Sequence, residues 1–294
     1  MLAVSLVAGC SSSNDQPSTA IAKPARVVAT FYPLAWMAEQ IGGDDVTVTN
    51  LTPPGVEPHD LELAPDQVEA LADADLALVM GRGFQPGPEK VAARRSRATI
   101  VILDSLSLGA GQVTEGGRGI DPHVWLDPVQ FSSIRQEIVS SLSAVRPAAA
   151  EAFAARATAL GADLDALDAD FRAGLSGCAR TIIVTNHAAF GRMATRYGLI
   201  QEAISGLSPD AEPDPQRLAD LADLVKAKGV TTVFMEELAP KVFAETLARE
   251  AGIATEVLSP IEGLTAAEVA DGASYLSVMR ANLATLRRAL DCQN

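Results

Sequence analysis

Three histidines carry the chemistry of this 294-residue chain, and each sits at the edge of an element. His59 lies in Pro53-Pro54-Gly55-Val56-Glu57-Pro58-His59-Asp60, just after a strand-like stretch. His123 lies in Asp121-Pro122-His123-Val124-Trp125-Leu126-Asp127-Pro128, just ahead of a helix. His187 lies in Thr185-Asn186-His187-Ala188-Ala189-Phe190-Gly191, where a strand ends. A single histidine in such a place is ordinarily a cap or a core residue, but three in the same kind of place point to one shared metal site. Neutral imidazoles are borderline-soft donors that suit Zn²⁺, whereas Mn²⁺ prefers carboxylate oxygen. Asp60, Asp121 and Asp127 stand close by in sequence and could orient the rings through the other ring nitrogen. Asp127, directly before Pro128, reads first as a helix cap. Zinc on three histidines also activates water in hydrolases, yet no HExxH-type helix motif supplies a general base here, so no enzyme is expected.

The elements that must bring these residues together alternate strand and helix, twice. In the first half, strands are expected at Arg26–Phe31, Val46–Leu51, Leu76–Met80 and Thr99–Leu103, with helices at Pro33–Ile41 and Pro65–Ala74. The second half repeats the scheme with strands at Thr181–Thr185, Thr231–Met235 and Thr255–Leu258. Its helices are expected at Phe190–Tyr197, Pro215–Lys228, Lys241–Ala251 and a long closing Ala266–Leu290. This alternation predicts an α/β fold of two lobes, each with a mainly parallel sheet flanked by helices. Between them runs an Ala- and Leu-rich stretch, Pro147–Phe171, that would span roughly 38 Å as one helix and join the lobes rigidly. The division is therefore 1–25 as signal and tether, 26–146 as first lobe, 147–174 as connecting helix and 175–294 as second lobe. Ligands gather beyond the carboxyl ends of strands in open α/β sheets, so two such sheets facing each other would hold all three imidazoles in one cleft.

Composition narrows the function classes. With 37 Asp+Glu against 23 Lys+Arg the formal charge is −14, which repels phosphate backbones and excludes nucleic-acid binding. The first residues, Leu2 to Gly9, are apolar and end in Leu6-Val7-Ala8-Gly9-Cys10 before a polar tract. That is the pattern of an exported lipoprotein whose Cys10 takes lipid. It lacks the basic residues a signal peptide wants, which suggests a start upstream of Met1. Cys178 and Cys292 then remain as one disulfide pair for an oxidising compartment, the alternative being two buried thiols. Closing a loop that long is worth about 4–5 kcal/mol by chain-entropy estimates, before native strain.

Several of these stretches together resemble the zinc- and manganese-binding solute-binding proteins of bacterial ABC importers, the ZnuA/TroA type. The matching segments are Val28–Pro33 (VATFYP), Gly55–Asp60 (GVEPHD), Asp121–Pro128 (DPHVWLDP), Thr185–Gly191 (TNHAAFG), Gly206–Pro213 (GLSPDAEP) and Phe234–Lys241 (FMEELAPK). The resemblance covers about Arg26 to Leu290. It implies two α/β lobes joined by one long helix and places three metal ligands on His59, His123 and His187. It further implies a monomeric receptor, lipid-anchored on the outer face of the cytoplasmic membrane, that hands its ion to a membrane permease. Surface adhesion is an alternative role, since some relatives are described as adhesins.

The chain departs from that family at the fourth ligand. An aspartate is usual after the last strand of the second lobe, but here the segment is Leu258-Ser259-Pro260. A water is the reading adopted for the open position. Glu262 and a carboxylate from elsewhere, such as Glu57, are the alternatives, Glu262 reading first as a helix N-terminal residue. Three imidazoles favour Zn²⁺ over Mn²⁺, and manganese-selective relatives more often carry a carboxylate where His187 stands. The glycine-rich Gly109–Gly119 contains no histidine, so it is not expected to collect metal.

Overall fold

Among the described residues eight strands form two four-stranded parallel sheets with the same internal order. The computed structural model describes residues 23–106 and 120–293. Cys10, the tether up to residue 22 and Gly109–Gly119 lie outside the described residues. The first sheet is built from β1 (Ala25–Ala29), β2 (Val46–Asn50), β3 (Leu76–Val79) and β4 (Ala98–Val101), in the order β2-β1-β3-β4. Between and after them come α1 (Tyr32–Gly42), α2 (Pro65–Asp73), α3 (Pro86–Ala92) and a single turn, α4 (Ile102–Ser105). Two longer helices follow, α5 (Pro128–Val145) and α6 (Ala150–Gly174). The second sheet holds β5 (Ile182–Thr185), β6 (Ile200–Ala203), β7 (Thr232–Met235) and β8 (Ala254–Val257), in the order β6-β5-β7-β8. Its helices are α7 (Gly191–Tyr197), α8 (Pro215–Lys228), α9 (Val242–Ala251), α10 (Ala266–Ala270) and α11 (Tyr275–Leu290).

The local chemistry explains most boundaries. Asp127 accepts from the N–H groups of Val129 and Gln130 and starts α5, with Pro128 at its first position. Asp214 caps α8 in the same way, and Gly229 ends it at φ 64°, a conformation only glycine adopts without strain. Several stretches come out differently from the sequence expectation, which contains neither β6 (Ile200–Ala203) nor α3 (Pro86–Ala92). The closing helix is not continuous over Ala266–Leu290: it stops at Ala270, turns through Gly272 at φ +71°, and restarts at Tyr275 under a Ser274 cap. α10 buries none of its residues whereas α11 packs Tyr275, Met279 and Leu286 into the core, but no proline marks the break and the sequence pattern alone does not reveal it. The stretch expected as a strand to Leu103 leaves the sheet at Val101 and coils into α4.

One apolar core runs through both halves. Phe31, Leu34 and Met37 of the first half are continuous with Phe153, Leu164 and Phe171 of α6 and with Met193, Tyr275 and Leu286 of the second. A smaller cluster (Val184, Leu221, Val225, Val233 and Leu247) fills the other face of the second sheet. Polar bonds reinforce the junction. Asp168 of α6 receives Arg196 (2.6 Å) and the Tyr197 hydroxyl (3.0 Å) from α7, and these hydrogen bonds, Arg196 foremost, hold its carboxyl down at about 2. Arg196 also lies 3.3 Å from Asp127 of the first half. At the other edge of the second half, Cys178 and Cys292 form a disulfide that ties the segment after α6 to the chain end. Among the described residues no helix is long and apolar enough to cross a membrane.

Candidate metal centre

All three histidines arrive at one buried point between the sheets. His59 comes from the irregular segment after β2, His123 from the loop that leads into α5, and His187 from the carboxyl end of β5. His123 and His187 have no exposed side-chain surface, and His59 keeps 9%. Their Nε2 atoms converge on Oε1 of Glu262, at 3.3 Å from His59, 3.1 Å from His123 and 3.3 Å from His187. All four donor atoms lie within 4.8 Å of one another.

Two of the rings are held from behind. Asp121 accepts from His123 Nδ1 at 2.7 Å and also from the backbone N–H of His123 at 2.9 Å. Glu236, at the end of β7, accepts from His187 Nδ1 at 2.7 Å and from the His187 backbone N–H at 3.2 Å. A proton committed to Nδ1 leaves a lone pair on Nε2, so each neutral ring turns its donor lone pair toward the centre. Facing it is a carboxylate oxygen, and two buried atoms there, His187 Nε2 and Glu262 Oε2, have no hydrogen-bond partner among the described residues. Lone pairs aimed at each other in an apolar surround repel unless a cation or protons sit among them.

The electrostatics of the metal-free molecule favour protons in that place. Burial works against charge at His187, but Glu236 and Glu262 outweigh it and hold the ring well above its usual range. His123 is raised likewise, with Asp121 and Glu262 overcoming its desolvation. Burial alone would raise the Glu262 carboxyl, yet the imidazoles, His187 first, pull it well below its ordinary value. Glu57 is pushed up to about 9 by burial and by the neighbouring Glu262.

The remaining candidates fall elsewhere. Asp127 caps α5, as its place before Pro128 suggests. Asp60 lies beside Asp210, whose carboxyl is raised by burial and by this neighbouring acid, and no bond joins Asp60 to a histidine ring among the described residues. Glu57 accepts the His59 backbone N–H at 3.0 Å, outside the converging group. Ser259 is buried, and its hydroxyl accepts the Ile261 N–H at 3.3 Å. Glu262 is not a helix N-terminal residue: α10 starts four residues later under its own Thr265 cap. The turn Ser259–Glu262 instead folds inward and delivers its side chain to the cluster.

Glu236 was not assigned a role from the sequence, although its segment, Phe234–Lys241, is one of the matching motifs. Its signal is positional: an acidic residue at the carboxyl end of the strand next to the one that ends in His187. Arg192 was missed for a similar reason. From α7 it donates through Nε to the Asp121 carbonyl at 2.9 Å, pinning the His123 loop against the second half. Trp125, two residues after His123, donates Nε1–H to the Pro260 carbonyl at 2.7 Å, two residues before Glu262.

Three imidazole nitrogens and one carboxylate oxygen form a donor set suited to a tetrahedral divalent ion. Zinc bonds of about 2.0–2.1 Å put adjacent ligand atoms roughly 3.3 Å apart, the spacing found here between Glu262 Oε1 and each Nε2.

Comparison with known proteins agrees with this reading of the fold. The family model described as "Zinc-uptake complex component A periplasmic" matches residues 27–289. The zinc-binding lipoprotein AdcA of Streptococcus pneumoniae is 37% identical over 278 residues, covering 90% of this chain. The chain spans only 56% of the length of that relative. The high-affinity zinc uptake system protein ZnuA of Bacillus subtilis is 33% identical over 299 residues, covering 97% of this chain and 94% of its own length. Among solved structures, the Zn(II)-bound ZnuA-like domain of S. pneumoniae AdcA superposes with a TM-score of 0.77 at 38% identity, covering 91% of this chain and 99% of that one. Sequence similarity along almost the whole described chain and a shared two-sheet architecture make this protein a member of the ZnuA family, the periplasmic A component of zinc-uptake complexes.

Proposed function

We propose that the protein is an extracytoplasmic receptor that captures Zn²⁺ between its lobes and delivers it to the membrane permease of an ABC importer. The lobes are 26–146 and 175–294, joined by 147–174, and lipid on Cys10 tethers the protein to the outer face of the membrane. His59, His123 and His187 bind the ion through Nε2, and Glu262 supplies the fourth donor in place of water. One observation carries this reading: three imidazole nitrogens point at a single buried carboxylate oxygen, two of them backed by carboxylates on Nδ1. The ion is cargo, so the chemistry is binding and release without turnover. Zn²⁺ replaces the protons held in the metal-free cluster, and each ring that loses one becomes a neutral ligand. A donor set with one carboxylate among three imidazoles favours Zn²⁺ over Mn²⁺.

The test is a competitive titration of metal-stripped protein with Zn²⁺ and Mn²⁺ against a chromophoric chelator, with His187→Ala as control. One tight Zn²⁺ site, lost in the variant and with Mn²⁺ weaker by orders of magnitude, is the expected result. Equal affinity for both ions points to the manganese receptor, and no tight site for either removes the receptor reading.

A further inference from the structure

The turn that delivers Glu262 is held more tightly than its four residues require. Asn282 on α11, buried to 4% exposure, presents its side-chain amide to both backbone groups of Ser259. Ser259 N–H donates to Asn282 Oδ1 at 2.9 Å, and Asn282 Nδ2 donates to the Ser259 carbonyl at 2.7 Å. A side chain thus pairs with the backbone as a neighbouring strand would, at the point where β8 has ended. The next carbonyl, of Pro260, accepts Trp125 Nε1–H, and the Tyr275 hydroxyl donates to the Trp125 carbonyl at 2.5 Å. Within the turn, the Ser259 hydroxyl accepts the Ile261 N–H.

Ile261 sits at φ +55° with its side chain fully buried. A β-branched residue in the left-handed region is a genuine outlier and persists only where its surroundings over-determine it. Here the surroundings are α11, the His123 loop and the hydroxyl of Ser259, and what the enforced conformation achieves is the direction of the following side chain.

We propose that Asn282 is a positioning residue for metal capture: with Ser259 it holds the turn so that the Glu262 carboxylate stands at bonding distance from the ion. Among the described residues no hydrogen bond joins either side chain to the four donors, so both act through Glu262. This inference rests on the zinc-receptor reading above.

Asn282→Ala and Ser259→Ala are each made in the otherwise unchanged protein and in a Glu262→Gln background. Zn²⁺ affinity is read by chelator competition, Co²⁺ coordination by visible absorption, and folding by thermal melts of the metal-free protein. In the unchanged background Asn282→Ala weakens Zn²⁺ about fivefold to tenfold and Ser259→Ala by about threefold, the worth of the hydrogen bonds removed. In the Glu262→Gln background neither has a further effect on affinity, and the Co²⁺ spectrum of Asn282→Ala shifts toward that of Glu262→Gln. Equal losses in both backgrounds would show a merely structural role and overturn the proposal. If Asn282→Ala does not fold, Ser259→Ala decides by the same comparison. Zn²⁺ affinity unchanged by Glu262→Gln but lost in His187→Ala overturns the positioning role and leaves a three-histidine receptor standing. Unchanged affinity in both removes the receptor reading itself.

Discussion

His187 and His59 approach the same Glu262 oxygen from the two halves of the molecule, yet the protein treats them differently. His187 leaves the end of β5 with no exposed side-chain surface, a carboxylate on Nδ1 and that same carboxylate on its backbone N–H. His59 comes from a segment of irregular backbone and is steadied indirectly. Its ring packs edge-on against Phe84 at 4.5 Å, and the carbonyl of Pro58 accepts from the buried Gln85 amide at 3.1 Å. His123 belongs with His187, since Asp121 plays the part of Glu236. The site therefore has a rigid side, where ring orientation is set by buried charge, and a lighter side, where it is set by packing and backbone bonds. The lesson is that a metal site can be preorganised on part of its perimeter only. The segment nearest solvent is left to neutral contacts, which cost less to rearrange than buried ion pairs.

The sharpest way to break this comparison is to remove one histidine from each side. His187→Ala leaves Glu236 buried without its partner and is expected to destabilise the metal-free protein by about 3–5 kcal/mol, whereas His59→Ala costs much less. Both variants lose tight Zn²⁺ binding. Thermal or denaturant unfolding of the two metal-free proteins decides the matter, and equal melting losses would erase the distinction.

Acid provides the next largest effect. His123 and His187 are held above the ordinary imidazole value in the metal-free state, so they keep their protons at higher pH and Zn²⁺ must displace them. Affinity is expected to fall as pH drops, beginning above about 6.5 and steepening to about tenfold per unit for each proton displaced. Chelator competition between pH 8 and 5.5 measures it, and a flat profile contradicts imidazole ligation.

Glu236→Gln sharpens the comparison further, because it keeps the shape behind His187 and removes the charge. Zn²⁺ affinity is expected to weaken about tenfold to a hundredfold, the usual toll for losing the partner behind a metal-bound histidine. The smallest effect belongs to the lighter side. Gln85→Leu leaves the carbonyls of Thr30 and Pro58 short of a donor and should weaken Zn²⁺ by about 1–2 kcal/mol. That loss should vanish in a His59→Ala background, which residual metal binding by isothermal titration would register.

Much of this protein is readable along the chain because its determinants are local. The parallel strands announce themselves as β-branched runs, the connecting helix as a long alanine- and leucine-rich stretch, and Asp127 as a cap by its place before Pro128. The break between α10 and α11 is not readable in the same way. Gly272 and Ser274 supply the turn and the cap, but helical spacing continues on either side and hides them. Ser259 shows a deeper limit. Its substitution for the usual aspartate suggests a missing ligand and a water, and nothing in the neighbouring residues says that the turn bends inward at Ile261.

What the sequence determined by itself is the set of donors and the elements that carry them: three histidines at element edges, two repeated α/β halves and a helix between them. These follow from side-chain type, hydropathy period and capping, which act over a few residues. What only the tertiary structure decided is the fourth donor and the partners behind the rings. Glu262 meets His59 across 203 residues of chain and His123 across 139, and Glu236 meets His187 across 49. Such contacts depend on where two sheets and α11 come to rest against one another. A buried carboxylate is tolerated there because imidazoles from both halves surround it, a condition no single segment of the chain can express.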